Sequence, residues 1–157
     1  MTDVPYGRGG SPLQNLIARG HRHTVLSALR MSGTFDAGPV YLKSDLSLEG
    51  STAEEVYIRA SELSCKLAAE IAKNEPSPQA QEGELVIFKR RTPKASEIPH
   101  DATDENAIFD HIRMLDATDY PRAFLEIGNL RIEFSRAALY NEKVCSDATI
   151  TIIRPSV

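Results

Sequence analysis

A chain of 157 residues, 41% hydrophobic and 25% charged, is long enough to bury a core as one domain or one and a half. Its formal charge of -4 gives no basic footprint for nucleic acid. No apolar run is long enough to span a bilayer and the N-terminus lacks a signal-peptide pattern, so the sequence predicts a cytoplasmic protein.

Residues 1–12 read as loop, because Pro5, Gly7, Gly9, Gly10 and Pro12 punctuate them too densely for regular structure. Pro12 opens a short helix with Leu13, Leu16 and Ile17 on one face and Gly20 as its stop. Thr24 to Met31 is the first predicted strand, Ser32-Gly33-Thr34 makes a turn, and Val40 to Leu42 resumes extended structure. The clearest helix comes next. Ser51 and Glu54 form a capping box, and Val56, Ala60, Leu63, Leu67 and Ile71 make one apolar stripe. Lys66, Glu70 and Lys73 take the polar side, Cys65 is expected on the buried side, and Pro76 and Pro78 end the helix. Cys65 and Cys145 are far apart and lack metal-ligand spacing, so they read as two reduced structural thiols.

PSPQAQEGE is a polar connector, and Leu85 to Phe88 is a short apolar strand. Lys89, Arg90, Arg91 and Lys94 form the longest basic cluster and read as a solvated loop inside the irregular segment FKRRTPKASEIP. Asp104 or Thr103 caps a second helix, with Ile108, Ile112 and Leu115 on one face and His111 and Arg113 off it. The tail is β. Ala123 to Ile127 and Leu130 to Ser135 flank the hairpin signal Gly128-Asn129, and Ala148 to Ile153 adds a third strand. Leu130, Ile132 and Phe134 alternate with Arg131, Glu133 and Ser135, which predicts one buried and one wet face. A soft boundary near residues 94–104 separates an α/β part from a β-rich appendage.

His21 and His23 straddle Arg22, a spacing that suits no helical metal pair, and no metal site is expected. No GxSxG elbow, GxGxxG or GxxxxGK[ST] loop is present. Two features remain. The string YGRGGSP is either a tight turn or a flexible loop offering Arg8, Gly9 and Gly10 to a ligand. Asp36, between Thr34-Phe35 and Ala37-Gly38, is either a turn residue bonding its own backbone or a carboxylate presented to a small molecule.

The succession PYGRGGSP, an LQNLI helix, RGH, TVLSALRM, FDAGPV and, much later, FKRRTPKASEI resembles the formyltransferase family over essentially the whole chain. That family includes methionyl-tRNA, glycinamide ribonucleotide and sugar N-formyltransferases. Val4-Pro5, Arg8-Gly9 and Pro12 stand on the positions of its loop, Thr24 on the first Thr of its strand motif, and Asp36 and Gly38 on the Asp and Gly of its catalytic turn. IRMLDATDYPRAF also resembles the family's segment downstream of the catalytic core. The resemblance implies an α/β fold: the C-terminal half of a Rossmann-like formyltransferase domain over 1–97, then a helix and β-hairpin region over 98–157.

It further implies N10-formyltetrahydrofolate as the formyl donor and an amine acceptor, with Asp36 catalytic. Gly33, Thr34, Phe35 and Gly38 would face the cofactor, and Arg8, Gly9 and Gly10 would line the acceptor side. The family's catalytic Asn-x-His stands ahead of the loop, and its His would fall one position before Met1. The expectation is therefore a partial catalytic domain, through a late start or as a remnant, with very weak or no turnover by these 157 residues alone. The acidic balance favours a nucleotide-linked amino sugar over tRNA. The alternative is a non-catalytic remnant that binds a ligand or partner, or a second copy of itself, through an exposed sheet edge.

Overall fold

The computed structural model describes residues 1–102 and 104–154. By its backbone contacts the chain divides into two units, 1–49 with 55–91, and 50–54 with 92–157. The first is mixed α/β and the second is β-rich.

In the first unit, β1 (Tyr6–Gly9) leads into α1 (Pro12–Ile17). The strand was not expected in a stretch so rich in glycine. It exists because Val86–Phe88, β4, lies parallel to it, with Arg8 opposite Ile87 and Gly9 opposite Phe88. A partner so distant in sequence leaves no local trace, and a register shift between Tyr6 and Arg8 absorbs the irregular backbone at Gly7. α1 buries Leu13, Leu16 and Ile17, and its end is closed by Gly20 at φ 79, whose N–H bonds Ile17 O at 2.8 Å.

β2 (His23–Leu29) and β3 (Val40–Ser47) pair antiparallel, with Thr24 opposite Leu46 and Leu29 opposite Val40. β3 runs five residues beyond the predicted Leu42, because Lys43, Ser44 and Asp45 interrupt its apolar pattern while the backbone ladder continues. The long helix α2 (Ala53–Asn74) starts after Thr52. The Glu54 carboxylate accepts the N–H of Thr118 at 2.9 Å. Val56, Ala60 and Leu67 are buried and Leu63 and Ile71 half-buried, as the stripe requires. Cys65 is exposed, against expectation. It stands two residues from both Leu63 and Leu67, about 200° around the helix from each, and so faces away from the stripe. Cys145 is exposed as well.

In the second unit, α3 (Glu105–Arg113) is capped by Asp104, whose side chain accepts the Asn106 N–H at 3.0 Å. Thr103, the other expected cap, lies outside the described residues. Arg113, which the pattern left off the apolar face, is 1% exposed. Its Nε donates to Asp110 Oδ1 at 2.6 Å and its Nη1 to Gly50 O at 3.2 Å, so the buried charge is paired and hydrogen-bonded.

β5 (Ala123–Ile127), β6 (Leu130–Tyr140) and β7 (Lys143–Ile152) form one antiparallel sheet in chain order. The Gly128-Asn129 turn joins Ile127 to Leu130 as read, with Gly128 at φ 62. β6 and β7 extend well past the predicted bounds. A register shift between Ser135 and Ala138, with Arg136 at φ 51, breaks the alternation that marked the strand. The face expected to be buried is only partly so: Leu130, Ile132 and Phe134 are half-buried, and their row ends in Ile127, Ile150 and Ile152, each about 60% exposed.

Candidate functional site

Asp36 sits in the connection between β2 and β3, itself at φ 54, a left-handed conformation that Asp tolerates better than most residues. The turn around it is narrow at its base. Arg30 N bonds Pro39 O at 2.9 Å, and a Cβ on Gly38 would stand 1.8 Å from Arg30 O, so only glycine fits there. At its tip the turn is open. Gly33 has nothing within 4 Å of where a Cβ would be, and Phe35 is 93% exposed. Ser32 Oγ closes the tip by donating to Thr34 O at 2.9 Å.

The YGRGGSP loop comes to this turn. Gly9 N donates to Asp36 Oδ2 at 2.9 Å. Gly9 has φ 112, and a Cβ there would meet Phe88 O at 2.4 Å; Gly10 packs as closely on Arg90 and bonds Phe88 O through its N–H at 3.0 Å. The glycines are thus required by close approach to β4 and the segment after it. Ser11 Oγ accepts the Arg91 N–H at 3.1 Å, and Asn15 Nδ2 donates to Lys89 O at 3.0 Å. Lys89, Arg90 and Lys94 are exposed, as a solvated loop would be.

Arg8 does not point into open solvent. Its Nε and Nη2 both donate to Gln81 Oε1, at 3.0 and 2.7 Å, and Gln81 Nε2 donates to Asp36 O at 2.8 Å and Gly38 O at 2.6 Å. Gln81 had no signal in sequence, lying in a polar connector without periodicity. The amino group of Met1 also belongs to this neighbourhood. Burial lowers it from its ordinary 8.0, and the Asp36 carboxylate partly offsets that by favouring its charged form.

Arg8, Gly9, Asp36 and Gly38 are therefore brought together, with Gly10 alongside, while Gly33, Thr34 and Phe35 form the exposed tip of the same turn. The two histidines considered for metal go elsewhere. His21 Nε2 is 3.0 Å from Tyr6 Oη, and His21 and His23 line a separate groove of about 420 Å³ with Asp3, Tyr6 and Asp45. Among the described residues no group of three or more His, Cys, Asp or Glu is arranged to hold a metal, and no helix is long and apolar enough to cross a membrane.

Comparison with known proteins gives this arrangement a family. The family model for the methionyl-tRNA formyltransferase C-terminal domain matches residues 93–151. A methionyl-tRNA formyltransferase of Sinorhizobium medicae is 30% identical over 131 residues, which are 79% of this chain and 41% of the relative. Among solved structures, methionyl-tRNA formyltransferase from Clostridium thermocellum is 49% identical at a TM-score of 0.92, over 97% of this chain and 66% of that one. The sugar 3N-formyltransferase WlaRD, solved with dTDP and 5-N-formyl-THF, shares the fold at 13% identity and a TM-score of 0.62, over 86% and 59% of the two chains. The chain spans about two fifths of the curated relative and two thirds of the first structure. Within that span, from the YGRGGSP loop through the three-stranded sheet, the chain belongs to the formyltransferase family.

Proposed function

We propose that the chain is the part of a folate-dependent formyltransferase that carries the catalytic carboxylate, Asp36, and that the protein formylates an amine. The observation that carries this reading is the hold on Asp36: one carboxylate oxygen is fixed by the Gly9 N–H at 2.9 Å.

The turn fits N10-formyltetrahydrofolate as the formyl donor. The exposed Phe35 ring offers a flat apolar surface for a heteroaromatic ring, and the open space at Gly33 lets the backbone of residues 33–38 approach it. The donor would supply a formyl carbon for the acceptor amine to attack, with the bond between that carbon and N10 breaking and tetrahydrofolate leaving with a proton on N10. With Oδ2 held by Gly9, Asp36 has Oδ1 to accept the proton that the amine loses as its new C–N bond forms. A neighbouring imidazolium would be stabilised by the same carboxylate. The resemblance alone assigns Arg8 and the glycines beside it to the acceptor side, with Arg8 reaching it from its hold on Gln81.

For the acceptor, a nucleotide-linked amino sugar is favoured by charge, since acidic residues outnumber basic ones in the second unit, a poor surface for a phosphate backbone. Methionyl-tRNA is the second reading, favoured by the names of the relatives matched at 30% and 49% identity. The compartment we assign is the cytoplasm, in keeping with two exposed free thiols. The test presents the enzyme containing this chain with N10-formyltetrahydrofolate and either acceptor and weighs the products. A formyl mass increment on the amino sugar, lost in Asp36→Asn, supports the reading. An increment on methionyl-tRNA alone moves the acceptor to the second reading. No increment on either, with the folate bound, leaves a non-catalytic remnant.

A further inference from the structure

The geometry points to Gln81 as a positioning residue that sets the catalytic turn against the Arg8-Gly9 loop, an inference that rests on Asp36 being the working carboxylate. Two surfaces with opposite needs face each other here. Arg8 can only donate hydrogen bonds, and the main-chain oxygens of Asp36 and Gly38 can only accept them. One side chain between them must therefore accept on one side and donate on the other. A carboxamide does this, and Gln81 spends its oxygen on Arg8 and its NH2 on both carbonyls, at 2.6 to 3.0 Å. Its orientation is set by the partners, since a flipped amide would place donors against donors.

The connector that carries Gln81 is itself anchored. Gln79 and Val40 exchange both backbone hydrogen bonds, Val40 N to Gln79 O at 2.7 Å and Gln79 N to Val40 O at 2.8 Å, immediately after the Asp36 turn. Gln81 is thus a fixed strut. It holds the Asp36 backbone from one side while Gly9 holds the carboxylate from the other. Glutamate would keep the bond to Arg8 and lose both donors, and alanine would lose everything.

The test is a pH titration followed by amide NMR on the 157-residue chain. In the wild type the Gly9 amide proton, bonded to Asp36 Oδ2, shifts as that carboxylate takes up a proton, and Asp36→Asn flattens the curve. In both Gln81→Ala and Gln81→Glu the amplitude should fall by at least about half, as the turn leaves its bonded position. Wild-type amplitude in either variant, even with a lowered melting temperature, would overturn the proposal, because a merely structural residue would change stability and leave this titration alone. In the enzyme, Gln81→Ala should lower kcat about tenfold with KM for the formyl donor within about twofold. The NMR result does not depend on formyl transfer. An enzyme indifferent to Asp36→Asn would remove the functional reading while leaving the strut in place.

Discussion

Gly9 and Asp36, 27 residues apart, are joined by a 2.9 Å hydrogen bond from the glycine N–H to the carboxylate oxygen Oδ2. Gly9 can make it only because it has no side chain, as a Cβ would stand 2.4 Å from Phe88 O with the backbone at φ 112. Gly9→Ala should therefore cost about 2 kcal/mol or more and separate the loop from the turn. Urea unfolding measures the first effect, and loss of the Gly9 amide's response to pH the second.

The turn glycines should divide into two kinds. Gly38→Ala forces a Cβ to within 1.8 Å of Arg30 O and should destabilise by about 2 kcal/mol or more. Gly33→Ala has open space and should fall within about 0.5 kcal/mol of wild type. If Gly33 faces the folate, its substitution should nonetheless weaken binding of 5-formyl-tetrahydrofolate, which calorimetric titration would read without interference from folding.

Arg113 is a charge held in the interior of the second unit. It is 1% exposed and paired to Asp110, so Arg113→Ala should cost about 3–5 kcal/mol by removing one member of a buried ion pair. Arg113→Ala with Asp110→Ala should cost less than the sum of the two single changes. A double-mutant cycle by urea unfolding checks both statements.

The Asp104 cap carries a pH signature. Its side-chain hydrogen bond with Asn106, followed by the Asn106 backbone N–H, holds its carboxyl below the ordinary 3.8. A carboxyl lowered in the folded state contributes stability above about pH 4, and that contribution disappears as pH falls through the folded value. Asp104→Ala should therefore lower the melting temperature at pH 7, and the difference from wild type should shrink below about pH 4. A difference that stays constant down to about pH 2 would contradict the cap's role.

Local patterning carried the features that were legible in advance. The α2 stripe, the Gly20 stop, the Asp104 cap and the Gly128-Asn129 turn each hold their signal within a few residues. The features that escaped depend on partners distant in sequence. β1 exists because β4 lies beside it, Arg113 is buried because Asp110 neutralises it and Gly50 O accepts its hydrogen bond, and Gln81 meets its two partner segments only after folding. Cys65 was misplaced by a different route, since the helix period itself puts it opposite the stripe. At the site, the resemblance to the formyltransferase family singled out Arg8, Gly9 and Asp36; how Arg8 is held could not be read without Gln81.

The central claim is that Asp36 is the carboxylate through which formyl transfer proceeds. The most direct measurement replaces the matching two thirds of the Clostridium thermocellum methionyl-tRNA formyltransferase with this chain and follows single-turnover formyl transfer, once with the native Asp36 and once with Asp36→Asn. The account predicts a folded chimera that transfers formyl, and a loss of about a thousandfold or more in Asp36→Asn with the folate still bound. A chimera that binds folate and transfers formyl equally well with Asp36→Asn would contradict it.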